Sequence, residues 1–284
     1  MVKYLYSYTY PLFRQQDRGK FVLKDSRTPK AFPALDRIHA DISVLLNRRG
    51  LELKNKLLIR ESVDLDGCHG YHQCRRPYCI KCMSRRVYKQ RLHLKEQLPA
   101  LMKEHPRSQL WFLTGAAEDD AEIRGHAKAA ITGMRRVLRH PRLENRVISH
   151  FAVLEVALKN HRTPCAHVHA LVVTRPMDKG KYRISEPDWI RIWEQSCPLA
   201  RKRDESDTLQ RKRPAQPREN VSFKAVLAAD TTTDRGTLIG YCTKWADPDW
   251  IAKNYRQLLK NPDRFIDRIE SLKGITRFFG PLHV

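Results

Sequence analysis

Two apolar, β-branched runs lie almost end to end in this chain. Residues 147–159 read VISHFAVLEVALK and residues 166–174 read AHVHALVVT, and only the polar, proline-bearing NHRTPC parts them. So short an interruption has no room for the dozen or more residues of a helical crossover, so the two strands are expected to pair antiparallel as a hairpin. Further strands read at 109–116 (QLWFLTGA) and 221–229 (VSFKAVLAA). Apolar spacing predicts helices near 34–53, 84–104, 120–138, 187–196, 236–245 and 249–260, with Pro99 as a kink or break. Strands that alternate with helices around a central hairpin imply an α+β fold: a central, mostly antiparallel sheet with flanking helices, and not a doubly wound parallel sheet.

The charge narrows the partner. Among 284 residues, Lys and Arg number 54 against 31 Asp and Glu, a formal net charge of +23. A folded chain that tolerates this self-repulsion is suited to a polyanion, with nucleic acid the first expectation. At 41% hydrophobic residues the chain is too apolar for wholesale disorder. No run of 18 apolar residues occurs, so no membrane contact is expected. The start, MVKYLYSYTYPLF, lacks the apolar core of a secretion signal, which points to a cytoplasmic protein.

Seven cysteines are present, and four of them (Cys68, Cys74, Cys79 and Cys82) fall within fifteen residues. An odd number in a chain without a signal segment reads as metal binding, not as a disulfide framework. The Cys79-x2-Cys82 turn supplies two thiolates on one knuckle, and Cys68 and Cys74 complete a closed tetrahedral shell for a structural Zn²⁺. His69 or His72 could stand in for Cys68, so the fourth ligand is open. From Cys68 to Lys95 there are eight Lys or Arg and no acid. Arg75, Arg76, Lys81, Arg85, Arg86 and Lys89 are therefore candidate phosphate contacts. The polar, Arg/Lys-rich stretch 200–220 reads as a mobile basic loop.

His167 and His169 alternate along one strand, so both imidazoles face the same side, about 7 Å apart along the backbone. Glu155 lies in the preceding run, where an unpaired carboxylate would be costly. A hairpin centred at residue 161 sets Glu155 opposite His167, and one centred at 162 sets it opposite His169. Either register makes a two-histidine, one-carboxylate site with open positions, suited to Mg²⁺ or Mn²⁺ holding a phosphate. Downstream, LIGYCTKW places Tyr241 and Lys244 three residues apart. A phenol near pKa 10 needs help to act as a nucleophile, and a neighbouring ammonium can provide it.

Together these residues resemble the HUH superfamily of single-strand DNA nicking enzymes, especially the rolling-circle replication initiators of small bacterial plasmids and phages. Trp111–Thr114 (WFLT) is similar to the first, strand-forming motif, although Gly115-Ala116 follows where the family usually has a hydrophobic residue and a threonine. His167-Val168-His169 is similar to the His-hydrophobic-His motif, and Tyr241-Cys242-Thr243-Lys244 to the Tyr-x-x-Lys motif. The segment from Cys74 to Arg86 is similar to the cysteine segment that precedes the nuclease core. The resemblance implies an RRM-like palm carrying the two histidines, with the tyrosine on a helix packed over it. It also implies that Tyr241 attacks a phosphodiester, keeps the 5′-phosphate and frees a 3′-hydroxyl, while Glu155, His167 and His169 hold the catalytic metal. No second tyrosine accompanies Tyr241 on its helix, and Tyr255 falls on the next helical segment.

The expected organisation is an N-terminal helical extension (1–60), a zinc-binding basic segment (61–105), a nuclease domain (106–260) and a C-terminal tail (261–284). Expected partners are single-stranded or hairpin DNA at an origin, with host helicase and polymerase. Alternatives are a single-tyrosine HUH transposase or relaxase, and a non-catalytic zinc-containing DNA-binding regulator.

Overall fold

The computed structural model describes residues 33–54, 56–66, 68, 79–117, 123–159, 163–177, 183–198, 221–227, 232–244, 275 and 278–282. Five strands, β1 (Gln109–Ala117), β2 (Val147–Lys159), β3 (Thr163–Thr174), β4 (Val221–Leu227) and β5 (Phe278–Phe279), form one sheet in the order β4-β1-β3-β2-β5. Every pairing is antiparallel. The helices are α1 (Pro33–Glu52), α2 (Lys56–Asp66), α3 (Ile80–Glu104), α4 (Ile123–Val137), α5 (Glu186–Ser196) and α6 (Thr232–Cys242). This is the α+β arrangement that the hairpin implied. No helix among the described residues is long and apolar enough to cross a membrane. The basic loop 200–220, the expected helix 249–260, Cys74, Arg75, Arg76, His69, His72 and Tyr255 lie outside the described residues.

The period-2 alternation of the strands divides the sheet into two chemically distinct faces. One face carries Trp111, Leu113, Leu154, Val168, Ala170 and Val172, which join α4 and α5 in the main apolar core. Trp193 of α5 is fully buried there. A Cβ at Gly115 would meet its ring atoms at 2.5–2.9 Å, and one at Gly133 of α4 would come within 3.0 Å. These close approaches account for Gly115 in place of the hydrophobic residue usual in the resembled motif: any side chain there would displace the indole. The opposite face carries Phe112, Thr114, Glu155, His167 and His169, beside the buried Phe151, Leu171 and Val173.

Two features differ from expectation. First, α3 runs unbroken through Pro99 to Glu104. Second, α6 ends at Cys242, so Lys244 sits in the turn just beyond the helix and not on its face. α1 and α2 form a helical hairpin. Its polar tie is reciprocal: Ser62 Oγ donates to the Ser43 carbonyl at 2.9 Å, and Ser43 Oγ lies 3.2 Å from the Ser62 carbonyl.

Candidate active site and cysteine cluster

The hairpin register decides where the carboxylate stands. A bulge between Val147 and Ser149 leaves the rest of β2 paired with β3 about residue 161, so Glu155 faces His167 and Val153 faces His169. The side-chain contact is nevertheless diagonal: His169 Nε2 is 3.0 Å from Glu155 Oε2. On the other flank β1 pairs Thr114 with His169, and Thr114 Oγ1 lies 3.0 Å from His169 Nδ1. Thr114 and Glu155 thus hold one imidazole from both ring nitrogens.

Lys244 closes this arrangement. Its ammonium donates to Glu155 Oε2 and lies 4.6 Å from the centroid of the Tyr241 ring. Tyr241 stands edge-on to His169 at 5.0 Å between centroids and edge-on to Phe112 at 5.4 Å. Phe112 in turn stacks on His169 at 5.7 Å. Glu155 and His169 are buried, at 7% and 3% exposure, whereas Tyr241 is 39% exposed. The tyrosine is therefore the most exposed member of this group.

Charge states follow from the surroundings. Burial would raise the Glu155 carboxyl, but the Lys244 ammonium and the His169 hydrogen bond outweigh it and hold the carboxyl well below the usual carboxylate range. Burial pushes His169 down, against the opposing pull of Glu155. The consistent state is an ionised Glu155 paired with cationic Lys244 and a neutral His169. Since an ionised carboxylate only accepts, His169 donates from Nε2 to Glu155 and accepts the Thr114 hydroxyl at Nδ1. Behind Tyr241, burial pushes the Cys242 thiol far up, keeping it protonated and inert.

The donor set suits a hard or borderline divalent ion. Two imidazoles and a carboxylate share one face of the sheet, and an ion bound there would replace the proton that His169 Nε2 donates to Glu155 Oε2 at 3.0 Å. The His167 and His169 rings lie 5.7 Å apart. Sequence reasoning did not single out Thr114, Phe112 or Arg91 for this site. Arg91 of α3 donates to Thr243 Oγ1 at 2.9 Å and to the Thr243 carbonyl at 2.8 Å, fixing the turn between Tyr241 and Lys244. Thr114 and Phe112 could have been found from strand alternation, since they occupy the histidines' face of β1. Arg91 carries no such signal, because it reads as one more cation on a basic helix.

The cysteine cluster is assembled from helices. Cys68, Cys79 and Cys82 are all buried. Cys68 Sγ lies 3.5 Å from Cys82 Sγ and 3.6 Å from Cys79 Sγ. Cys79 caps α3 at its N-terminus and accepts the Cys82 backbone N–H at 3.4 Å, where the positive end of the helix dipole favours an anionic sulfur. The sequence did not point to His39 of α1, which is buried with Nε2 3.4 Å from Cys79 Sγ. The ligand atoms of His39, Cys68 and Cys79 all lie within 4.8 Å of one another, a grouping that could hold a metal ion.

Of the expected phosphate contacts on α3, Arg86 and Lys89 are exposed and Arg85 is half-buried. Lys81 is instead engaged with Asp36 of α1 at 2.7 Å.

Residues 67–204 match a family model described as a replication protein. The matched segment contains Cys68 to Cys82, Glu155, His167 and His169, and ends before Tyr241 and Lys244. No curated protein and no solved structure matches the chain.

Proposed function

We propose, from the match of residues 67–204 to a replication-protein family, that this chain starts rolling-circle replication by nicking one DNA strand through Tyr241. The phenolic oxygen of Tyr241 attacks the phosphorus of a phosphodiester. A bond from the Tyr241 oxygen to phosphorus forms as the bond from phosphorus to the 3′-oxygen breaks. The phenol gives up its proton, and the departing 3′-oxygen takes one up. The products are a 5′-phosphotyrosine and a free 3′-hydroxyl that serves as primer. The ester keeps the energy of the broken bond for a later strand transfer.

The observation that carries this reading is the contact chain from Tyr241 through Lys244 to Glu155 and His169. An ammonium 4.6 Å from the ring centroid stabilises the developing phenolate and the charge on the phosphoryl oxygens. The T-shaped contacts with His169 and Phe112 fix the ring's approach. Glu155 holds the Lys244 ammonium in place, and Arg91 anchors the turn that carries it. Glu155, His167 and His169 would hold Mg²⁺ or Mn²⁺, which when bound supplies a Lewis acid beside the scissile phosphate. Arg85, Arg86 and Lys89 extend a positive surface along α3 for the DNA backbone, so affinity should fall steeply with salt, by roughly three to five decades between about 50 and 200 mM if six to eight phosphates are neutralised. The cysteine cluster is read as a structural zinc site beneath this surface.

The test is covalent capture. Labelled single-stranded origin DNA incubated with the protein and Mn²⁺, then run on a denaturing gel, should show a protein-linked band that Tyr241→Phe abolishes. Sequence-specific binding without any adduct, unchanged in Tyr241→Phe, would instead identify a non-catalytic regulator.

A further inference from the structure

We infer that His39 is a ligand of the metal centre formed by the cysteines, so that the ion ties α1 to the first turn of α3. This rests on the zinc reading of the cysteine segment and extends it to a residue forty positions before Cys79 in the chain.

Distance is the first observation. A tetrahedral zinc ion with sulfur at about 2.3 Å and nitrogen at about 2.0–2.1 Å requires sulfur–sulfur edges of about 3.8 Å and sulfur–nitrogen edges of about 3.6 Å. The edges from Cys79 Sγ are 3.6 Å to Cys68 Sγ and 3.4 Å to His39 Nε2. These approach the tetrahedral values, and the three atoms come from three separate parts of the chain.

Burial is the second observation. His39 is only 4% exposed on the inner side of α1, beside the apolar Ile38 and Ile42, which are also buried. Imidazole is an expensive side chain to bury unless a ring nitrogen finds a strong partner, and Nε2 faces sulfur.

The third is mechanical. Lys81 to Asp36 is a polar tie between α1 and α3 that leaves Asp36 half in solvent, at 49% side-chain exposure. A coordinate bond from His39 would anchor the hairpin far more firmly than an exposed ion pair worth about 1 kcal/mol or less. With an imidazole at one corner, three thiolates complete the shell, and one of the four clustered cysteines is surplus.

Cobalt(II) reports the shell directly. Metal-free full-length protein titrated with Co²⁺ should develop the intense visible bands of a tetrahedral thiolate site. His39→Ala should weaken Co²⁺ binding by roughly 100-fold or more. His39→Cys should bind Co²⁺ with the bands moved to longer wavelength and the sulfur charge-transfer absorption increased by one thiolate. Unaltered affinity and spectrum in His39→Ala would overturn the assignment while leaving the zinc reading intact. If His39→Ala does not fold, an unshifted spectrum in His39→Cys overturns it just as well. Absence of tetrahedral bands in the unsubstituted protein would overturn both.

Discussion

Among the described residues, metal-type donors gather in two places, and the two are built on opposite plans. The cysteine cluster is held by helices, and its ligand atoms come from residues far apart in the chain, all of them buried. The Glu155–His169 group is held by three adjacent strands whose register alone sets the spacing, and one edge opens to solvent at Tyr241. A closed, dry shell suits structure, because no position is left for substrate. An open face with a carboxylate, neutral imidazole, ammonium and half-exposed phenol suits chemistry. On the function proposed above, position in the fold, and not donor type alone, separates a staple from a reaction centre.

The largest expected effect would break this contrast most directly. Structural zinc contributes about 10–16 kcal/mol of apparent binding free energy in small metal-folded domains. A thiol-competent chelator should therefore expose α1, α2 and the start of α3 to amide exchange while the sheet stays protected. Withholding Mg²⁺ and Mn²⁺ should abolish nicking without changing protection anywhere. Equal loss of protection in both treatments, followed by exchange mass spectrometry, would erase the distinction between the two sites.

The contrast also explains how much was legible beforehand. The sheet was, because a short interruption between two β-branched runs forces a hairpin, and Glu155 was constrained to face one of two histidines. Which one depended on the register in which the two strands leave their turn, centred at residue 161, a one-residue choice that no composition signal marks. The nearness of Cys68 to Cys79 and Cys82 was legible from spacing. His39 was not, since a helix brings it in from a distant segment. The hint lay in polar residues on a helix's inner face: His39 and Ser43 stand one turn apart among Ile38, Ile42 and Leu46, and both have polar or sulfur partners. Arg91 was hidden for the opposite reason, one inward-turned cation among many outward ones.

A second, smaller effect sharpens the electrostatic side of the comparison. Lys244 is 12% exposed and Glu155 8% at their side chains, so each is the other's principal compensation. Glu155→Ala removes the carboxylate beside a largely buried ammonium and should cost about 3–5 kcal/mol in urea unfolding. Replacing both with methionine should be close to neutral for stability, yet should eliminate the covalent adduct. A Glu155→Ala cost under about 1 kcal/mol would mean that Lys244 swings to water and does not depend on this carboxylate.

The smallest effect is a pH slope, and it comes from β2 itself. His150 lies five residues before Glu155, and burial with the nearby Arg139 charge lowers it to about 4 from 6.5. The unfolded chain therefore binds a proton that the folded chain refuses between those values. Stability should be fully retained above about pH 6.5 and lost as the pH falls toward 4, by at most about 1.4 kcal/mol per pH unit from this residue. Glu155 acts lower on the scale. Its folded value is depressed below 4.5, so its contribution is present above that point and is lost only as the pH falls further. Urea midpoints measured across the acid range should thus show two successive losses. His150→Asn should flatten the upper one and leave the lower one in place, whereas an unchanged upper slope would assign it to the buried His169 beside the tyrosine.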